Sequence, residues 1–201
     1  MISPPDYEKQ SYWNERFASE TAFEWLVPSA TFVELIKPYL SVSDKSQRIL
    51  NLGSGTSDLH THFRSHGYCD VTSVDFGPRA LDRGREMEEK AFGDTKTHYA
   101  VADVTKLGHD LGRPNAFDLV VDKSTADSVS CGGDDAMRDM AQGVRECLAA
   151  GGVWISLSYS AVRFELEDLP FEVQVIEKIL TPKARPMDPD IFYWCYLLRP
   201  K

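Results

Sequence analysis

The run Ile49-Leu50-Asn51-Leu52-Gly53-Ser54-Gly55-Thr56-Ser57-Asp58-Leu59 constrains the fold of this chain more than any other stretch. A short apolar segment breaks into Gly-x-Gly and then into a helical pattern, and the acid Asp75 closes the next apolar segment, Val71-Thr72-Ser73-Val74. Glycines at such a strand-to-helix turn let a ligand approach the backbone, and an acid at the neighbouring strand tip accepts hydrogen bonds from ribose hydroxyls. The pattern is that of an adenosine held at the edge of an α/β sheet, and two cofactor classes use it. A dinucleotide site wants a third glycine three positions after the second, where helix and strand pack closely beneath a pyrophosphate. Here that position is Asp58. An acid there repels a pyrophosphate but does not oppose S-adenosylmethionine (SAM), which has no phosphate and carries a positive sulfonium and amino group. The departure favours a SAM site.

At 201 residues and 42% hydrophobic content, the chain can bury one substantial core but hardly two, so residues 1–201 are expected to form a single domain. No apolar run approaches the roughly eighteen residues of a membrane span. The start Met1-Ile2-Ser3-Pro4-Pro5-Asp6 lacks a basic segment followed by an apolar one, so a cytoplasmic protein with no membrane partner is expected. A formal charge of -9 without a long basic run disfavours nucleic acid. The same acidity can steer a basic protein or a cationic small molecule towards the chain, or serve solubility alone. Cys69, Cys131, Cys147 and Cys195 are widely spaced, with no Cys-x-x-Cys pair or His cluster, and read as reduced thiols that mostly pack, with no metal.

Along the chain, Phe32, Leu35, Ile36, Tyr39 and Leu40 recur at helical spacing over residues 30–40, with Pro38 ending or bending the helix. Strands are expected at 48–52, 71–74, 97–101, 117–121 and 153–158. The helix after the glycine loop starts near Ser57 or Asp58 and stops at Gly67. A charged helix over 78–92 turns Leu81, Gly84, Met87 and Ala91 inward. Met137, Met140, Ala141, Val144, Cys147 and Leu148 mark a helix that stops at Gly151-Gly152. Two strand-like runs, 171–179 and 192–198, end the chain. Strand and helix alternate and then strands dominate, which implies a mostly parallel, three-layer α/β/α sandwich with a terminal strand pair.

Four segments carry a resemblance to a known family: Tyr12-Trp13-Asn14-Glu15-Arg16-Phe17 with Phe23-Glu24-Trp25-Leu26; the loop Leu52-Gly53-Ser54-Gly55-Thr56-Ser57-Asp58-Leu59; Val74-Asp75-Phe76; and Phe117-Asp118-Leu119-Val120-Val121-Asp122-Lys123-Ser124-Thr125-Ala126-Asp127. From about residue 11 to the C-terminus the chain resembles the class I SAM-dependent methyltransferases. Their sheet has seven strands, the last antiparallel, in a Rossmann-like fold. Within them it is most similar to the group that contains the lysine methyltransferases of translation elongation factor 1A. The resemblance implies that Gly53 admits the methionine part of SAM, Asp75 takes the ribose hydroxyls and Phe76 lies along the adenine. Asp103 would accept from the exocyclic amine beside the Val104 backbone, and Lys123 would sit near the methionine moiety. Trp13, Phe17 and Trp25 would close over the cofactor from an N-terminal arm, residues 1–29, where aromatic faces suit a purine and a sulfonium. Each has a plainer rival: anchoring the arm for the tryptophans, packing for Phe76, a turn or cap for Asp103, solvent exposure for Lys123. The match departs from the family at Gly53-Ser54-Gly55, where Gly-Cys-Gly is common. It also departs at Lys123-Ser124-Thr125, where Lys-Gly-Thr is common, and at Phe17, where tyrosine is common.

Methyl transfer from a sulfonium is an in-line displacement that needs no metal, and its acceleration comes mainly from holding the acceptor about 3 to 3.5 Å from the methyl carbon. Asp122, Asp127, Tyr159 and Tyr193 are candidates to orient an amine, with fold or surface roles as their rivals; no catalytic base is assigned. The resemblance implies a protein-lysine N-methyltransferase with an elongation factor 1A-like substrate. A small-molecule O-, N- or S-methyltransferase and a non-catalytic SAM- or partner-binding module are the alternatives, since fold does not dictate activity.

Overall fold

The structure is a computed structural model that describes residues 6–201. Its helices are α1 (Gln10–Arg16), α2 (Ser29–Ile36), α3 (Leu59–Ser65), α4 (Pro78–Phe92), α5 (Leu107–Leu111), α6 (Thr125–Ser130) and α7 (Asp134–Cys147). Its strands are β1 (Ile49–Leu52), β2 (Val71–Asp75), β3 (His98–Val101), β4 (Phe117–Lys123), β5 (Leu148–Ser158), β6 (Phe171–Leu180) and β7 (Phe192–Pro200). They form one seven-stranded sheet in the order β3-β2-β1-β4-β5-β7-β6. From β3 to β5 all neighbours are parallel, and β7 runs antiparallel to both β5 and β6. The sheet is the mostly parallel one expected, with its last strand antiparallel.

Residue parity builds the layers. Leu50, Leu52, Val120, Trp154, Tyr196 and Leu198 face one core, which α7 covers with Met137, Met140, Ala141 and Val144. Their neighbours Ile49, Leu119, Val121, Ile155 and Leu197 face the other, covered by Phe32 and Ile36 of α2 and Phe63 of α3. Because successive strand residues point to opposite faces, the apolar residues of β1 and β4 fall on both sides and sheathe both faces, while Asn51, Asp122 and Lys123 lie buried towards the carboxyl ends. After β1 the chain steps outward to β2 and β3, then returns to the other side of β1 for β4. The loops leaving β1 and β4 therefore diverge, and such a reversal opens a crevice beyond the carboxyl ends of the strands.

Several expected boundaries move. The helix expected over 30–40 ends at Ile36 and tightens into a 3-10 turn, Lys37–Tyr39, around Pro38, which has no N–H to continue the α-helical ladder. The helix expected to run to Gly151 ends at Cys147, and Leu148 already has extended backbone. Gly151-Gly152 lies within β5 instead. Gly152 is needed there because a Cβ would come within 2.9 Å of the Phe117 carbonyl oxygen. On α4 the inward residues are Ala80, Leu81, Gly84 and Glu88, not Met87 and Ala91. Cys147 and Cys195 are buried, whereas Cys69 and Cys131 are exposed. Among the described residues no helix is long and apolar enough to cross a membrane.

Candidate donor site

The crevice is a cavity of about 280 Å³, and the nine residues singled out from the sequence all line it: Trp13, Phe17, Trp25, Gly53, Asp75, Phe76, Asp103, Val104 and Lys123. The loop after β1 forms its floor. Gly53 and Gly55 stand at φ 57° and 51°, where side chains are strained, and a Cβ on Gly53 would run into the side chain of Thr125. Thr125 Oγ1 donates to the Leu52 carbonyl at 2.8 Å, which ties this loop to the start of α6.

Asp75 ends β2 and is 4% exposed. Its Oδ2 accepts the Gly55 N–H at 2.9 Å and its Oδ1 the Gly77 N–H at 2.8 Å. Burial pushes its carboxyl up to about 6, although both N–H bonds pull the other way. A carboxylate has lone pairs beyond those two bonds, so it can still accept from ligand hydroxyls. Asp103 Oδ1 accepts from the Thr105 N–H and hydroxyl at 3.0 and 2.7 Å, so it caps a turn and lines the cavity together.

The described part of the arm, residues 6–29, roofs the cavity; Met1–Pro5 lie outside the described residues. Trp13 and Phe17 are buried with ring centroids 5.5 Å apart, and they pack with Tyr7, Tyr12, Trp25 and Phe76. The Trp13 indole N–H donates to the Tyr7 carbonyl at 2.6 Å. Phe17 presses on Gly77, where a Cβ would sit 2.9 Å from its ring. Behind the lining residues Phe23 and Trp25, the Arg16 guanidinium lies 4.9 Å from both rings.

Four positions differ from the sequence reading. Asp58 is not among the lining residues, so its charge is not what faces the ligand. Lys123 does line the cavity, but its amine is turned to the arm, where it donates to Glu24, to the Trp25 carbonyl at 3.2 Å and to the Val27 carbonyl at 3.0 Å. Glu24, given no role from sequence, accepts the Asp58 N–H at 3.0 Å at the start of α3. The one available signal was an acid between two aromatics in the arm, since Lys123 has acids nearer to it in sequence, Asp122 and Asp127. Ser124 is the fourth surprise, at φ 73°. That left-handed backbone accounts for glycine in the Lys-Gly-Thr pattern, and here the Ser124 hydroxyl donates to Asp127 at 3.0 Å.

None of the four acceptor-orienting candidates lines the cavity. Asp122 is fully buried and accepts from the Ala126 N–H at 3.0 Å and the Trp154 indole at 2.9 Å. Asp127 accepts from Ser124, Ser158 and Arg163, tying the ends of β4 and β5. Tyr159 is exposed at 58%, and Tyr193 packs beside the second core.

A family model described as a methyltransferase domain matches residues 43–185. The chain belongs to the methyltransferase domain family. It is 53% identical over 200 residues to Methyltransferase srdJ of Neurospora crassa, covering 98% of this chain and 85% of that protein. It is 28% identical over 185 residues to EEF1A lysine methyltransferase 4 of Mus musculus, covering 82% of this chain and 69% of that one. Among solved structures, the N-methyltransferase NodS from Bradyrhizobium japonicum, in complex with S-adenosyl-L-homocysteine, superposes with a TM-score of 0.65. It is 17% identical and the match covers 94% of this chain and 99% of that one. The fold is thus the Rossmann-like methyltransferase fold, and the chain is a SAM-dependent methyltransferase. The wall suits that donor for a reason different from Asp58. Among the described lining residues the sole Lys or Arg is Lys123, already held by Glu24, so nothing cationic is free for a pyrophosphate. The Glu24 carboxylate also occupies the start of α3, where a dinucleotide phosphate would lie.

Proposed function

We propose that this methyltransferase modifies a lysine side chain of a protein, with an elongation factor 1A-like protein as substrate, and that the cavity residues other than Lys123, whose amine is held by the arm, contact its donor. Room is the observation that carries the reading. About 280 Å³ lies at the lower bound for a site that takes one small ligand, so the donor fills it and the acceptor must reach in from outside as a thin chain. A lysine side chain has that shape. The net charge of -9 favours the approach of a basic protein, and the relatives named as EEF1A lysine methyltransferases support the substrate class.

The bound donor supplies an electrophilic methyl on a sulfonium. In this reading the chain supplies position. Gly53 lets the ligand lie against backbone, Asp75 fixes the ribose, and Phe76 with Asp103 and Val104 fixes the base. Trp13, Phe17 and Trp25 exclude water and lay aromatic faces against the cation. The acceptor amine must arrive neutral, and its proton is left to solvent, because Asp122 and Asp127 are spent within the fold.

A small-molecule acceptor is the second reading. It is supported by the half-exposed aromatic rim at Phe23 and Trp25, and by the 53% identical relative being named only as a methyltransferase. Incubation with methyl-labelled SAM and either a protein lysate or a metabolite extract, followed by mass spectrometry, separates the two. Label on a lysine of elongation factor 1A is the expected result. Label confined to the extract overturns the lysine reading and leaves the methyltransferase intact.

A further inference from the structure

We infer that Lys123 is a positioning residue and not a donor ligand: with Glu24 it forms the latch that fastens the aromatic arm over the donor cavity. The inference rests on reading the cavity as the donor site. Its first support is a complete account of donors and acceptors. An ammonium has three N–H bonds, and Lys123 gives them to Glu24, to the Trp25 carbonyl and to the Val27 carbonyl, all on the arm. None is left for a ligand. The Glu24 carboxylate is equally occupied, taking the Asp58 N–H at 3.0 Å on Oε1, and on Oε2 the Ser29 hydroxyl at 3.0 Å together with Lys123. One carboxylate thus joins the arm to the starts of α2 and α3 and to the end of β4. The Lys123 side chain is only 4% exposed, so it cannot exchange these partners for water without the arm moving.

The second support is backbone strain. Between the two carbonyls that Lys123 grips stands Leu26, at φ 63°. The Val27 N–H donates to the Trp25 carbonyl at 2.8 Å, closing a three-residue turn around it. A γ-turn with positive central φ is rare, and a branched side chain in that region is strained unless its surroundings impose it. The Lys123 amine is what imposes it, because it is bound to the carbonyl on either side of Leu26. A parallel tie lies a few residues upstream. Thr56 of the glycine loop donates its hydroxyl to Glu20 at 2.7 Å, and its carbonyl receives the Phe23 N–H at 3.4 Å. The latch and this tie bracket Phe23, so the strap that carries Trp25 is fixed at both ends, with Trp13 and Phe17 packed beneath it.

The test is a double-mutant cycle on Lys123→Met and Glu24→Gln, read by isothermal titration with S-adenosylhomocysteine and by hydrogen exchange of the arm amides. Each single variant should weaken binding by about tenfold or more and speed exchange over residues 10–27 in the free protein. The double variant should be no worse than the weaker single. Leu26→Gly, which removes the strain, should restore part of the affinity when added to Lys123→Met. A Lys123 that touches the donor itself predicts something else: Glu24→Gln binds as tightly as wild type, the double variant binds like Lys123→Met alone, and arm exchange is unchanged in Glu24→Gln. That pattern overturns the latch. Glu24→Gln is isosteric and carries the test by itself should Lys123→Met fail to fold. Wild-type protein that does not bind the probe removes the donor-site reading, whereas variants that bind as well as wild type remove only the latch.

Discussion

In the proposed function, Asp75 has two tasks that pull its protonation in opposite directions. Burial at the tip of β2 raises its carboxyl to about 6, while a donor that offers hydroxyls prefers the anion. Binding must therefore expel the proton from any Asp75 that carries one. Above pH 7 little is protonated and affinity should be flat; below pH 6 affinity should fall by up to about tenfold per pH unit. Titration of S-adenosylhomocysteine from pH 5 to 8 tests this, and a flat profile would show that Asp75 does not receive the ribose. The residue scale was also where the sequence was most legible. Gly53 and Asp75 follow from the turn and strand tip, Phe76 and the others from the family resemblance, and all nine chosen positions reach one cavity. What escaped is the pairing of residues far apart in the chain. Lys123 and Glu24 are 99 residues apart, and neither spacing nor composition shows which way an amine turns. Asp58 misled for a similar reason, since register in the loop places Ser57 and Leu59 on the cavity wall and not the acid between them.

Elements were readable where periodicity was strong and unreadable where it was short. Every strand in the sheet had its signal, most plainly β1, β2, β4 and β5, where burial leaves apolar runs, and least in β3, which has no buried residue. Helices α1, α5 and α6 have seven, five and six residues, too few to show a face, and went unseen. α4 shows how an inward polar residue defeats a hydrophobic count. Glu88 lies on its buried side and accepts from the Arg64 guanidinium at 2.8 Å, the Lys96 and Thr97 N–H groups at 3.1 and 3.2 Å, and the Tyr99 hydroxyl at 2.9 Å. Burial pushes its carboxyl up, but these donors, led by the Lys96 N–H, outweigh it and hold it below the ordinary glutamate range. Glu88 thus pins α4 to α3 and to the start of β3. Glu88→Ala leaves the Lys96 and Thr97 amides without their acceptor, while Arg64 keeps the Asp94 carbonyl and carboxylate, and should cost about 2 to 3 kcal/mol in denaturant unfolding. Its contribution is present above the unfolded glutamate pKa and is lost as pH falls through the lowered folded value. A loss below about 1 kcal/mol would mean that the cluster is replaced by water.

At the scale of the whole molecule the sequence showed the three-layer architecture and the donor but not the acceptor, because the sheet and glycine loop recur as patterns while an acceptor is met by a surface that has none. The same architecture sets an unusual pH response. Asp75 and Asp122 sit fully buried at the carboxyl ends of β2 and β4, and burial raises both carboxyls to about 6 from 3.8. Between those values the folded protein holds more protons than the unfolded chain, so stability falls as pH rises through the window. Each shift corresponds to at most about 3 kcal/mol. The carboxylates held low, among them Asp118 beside Arg48 and Glu88 in its cluster, lose their contribution only at more acid pH. Net charge adds to the trend, since the self-repulsion of -9 relaxes towards a pI near 5.0. The free protein should therefore reach its highest urea midpoint at about pH 5 to 6, not at neutrality. If, as proposed, the donor's ribose binds the Asp75 anion, saturating S-adenosylhomocysteine should move that maximum upward, towards pH 7. Urea titrations across pH 4.5 to 8, with and without the ligand, measure both. A free protein most stable at pH 7 to 8 would mean that Asp75 and Asp122 are ionised in the fold at little cost. An unmoved maximum with ligand would separate Asp75 from the donor.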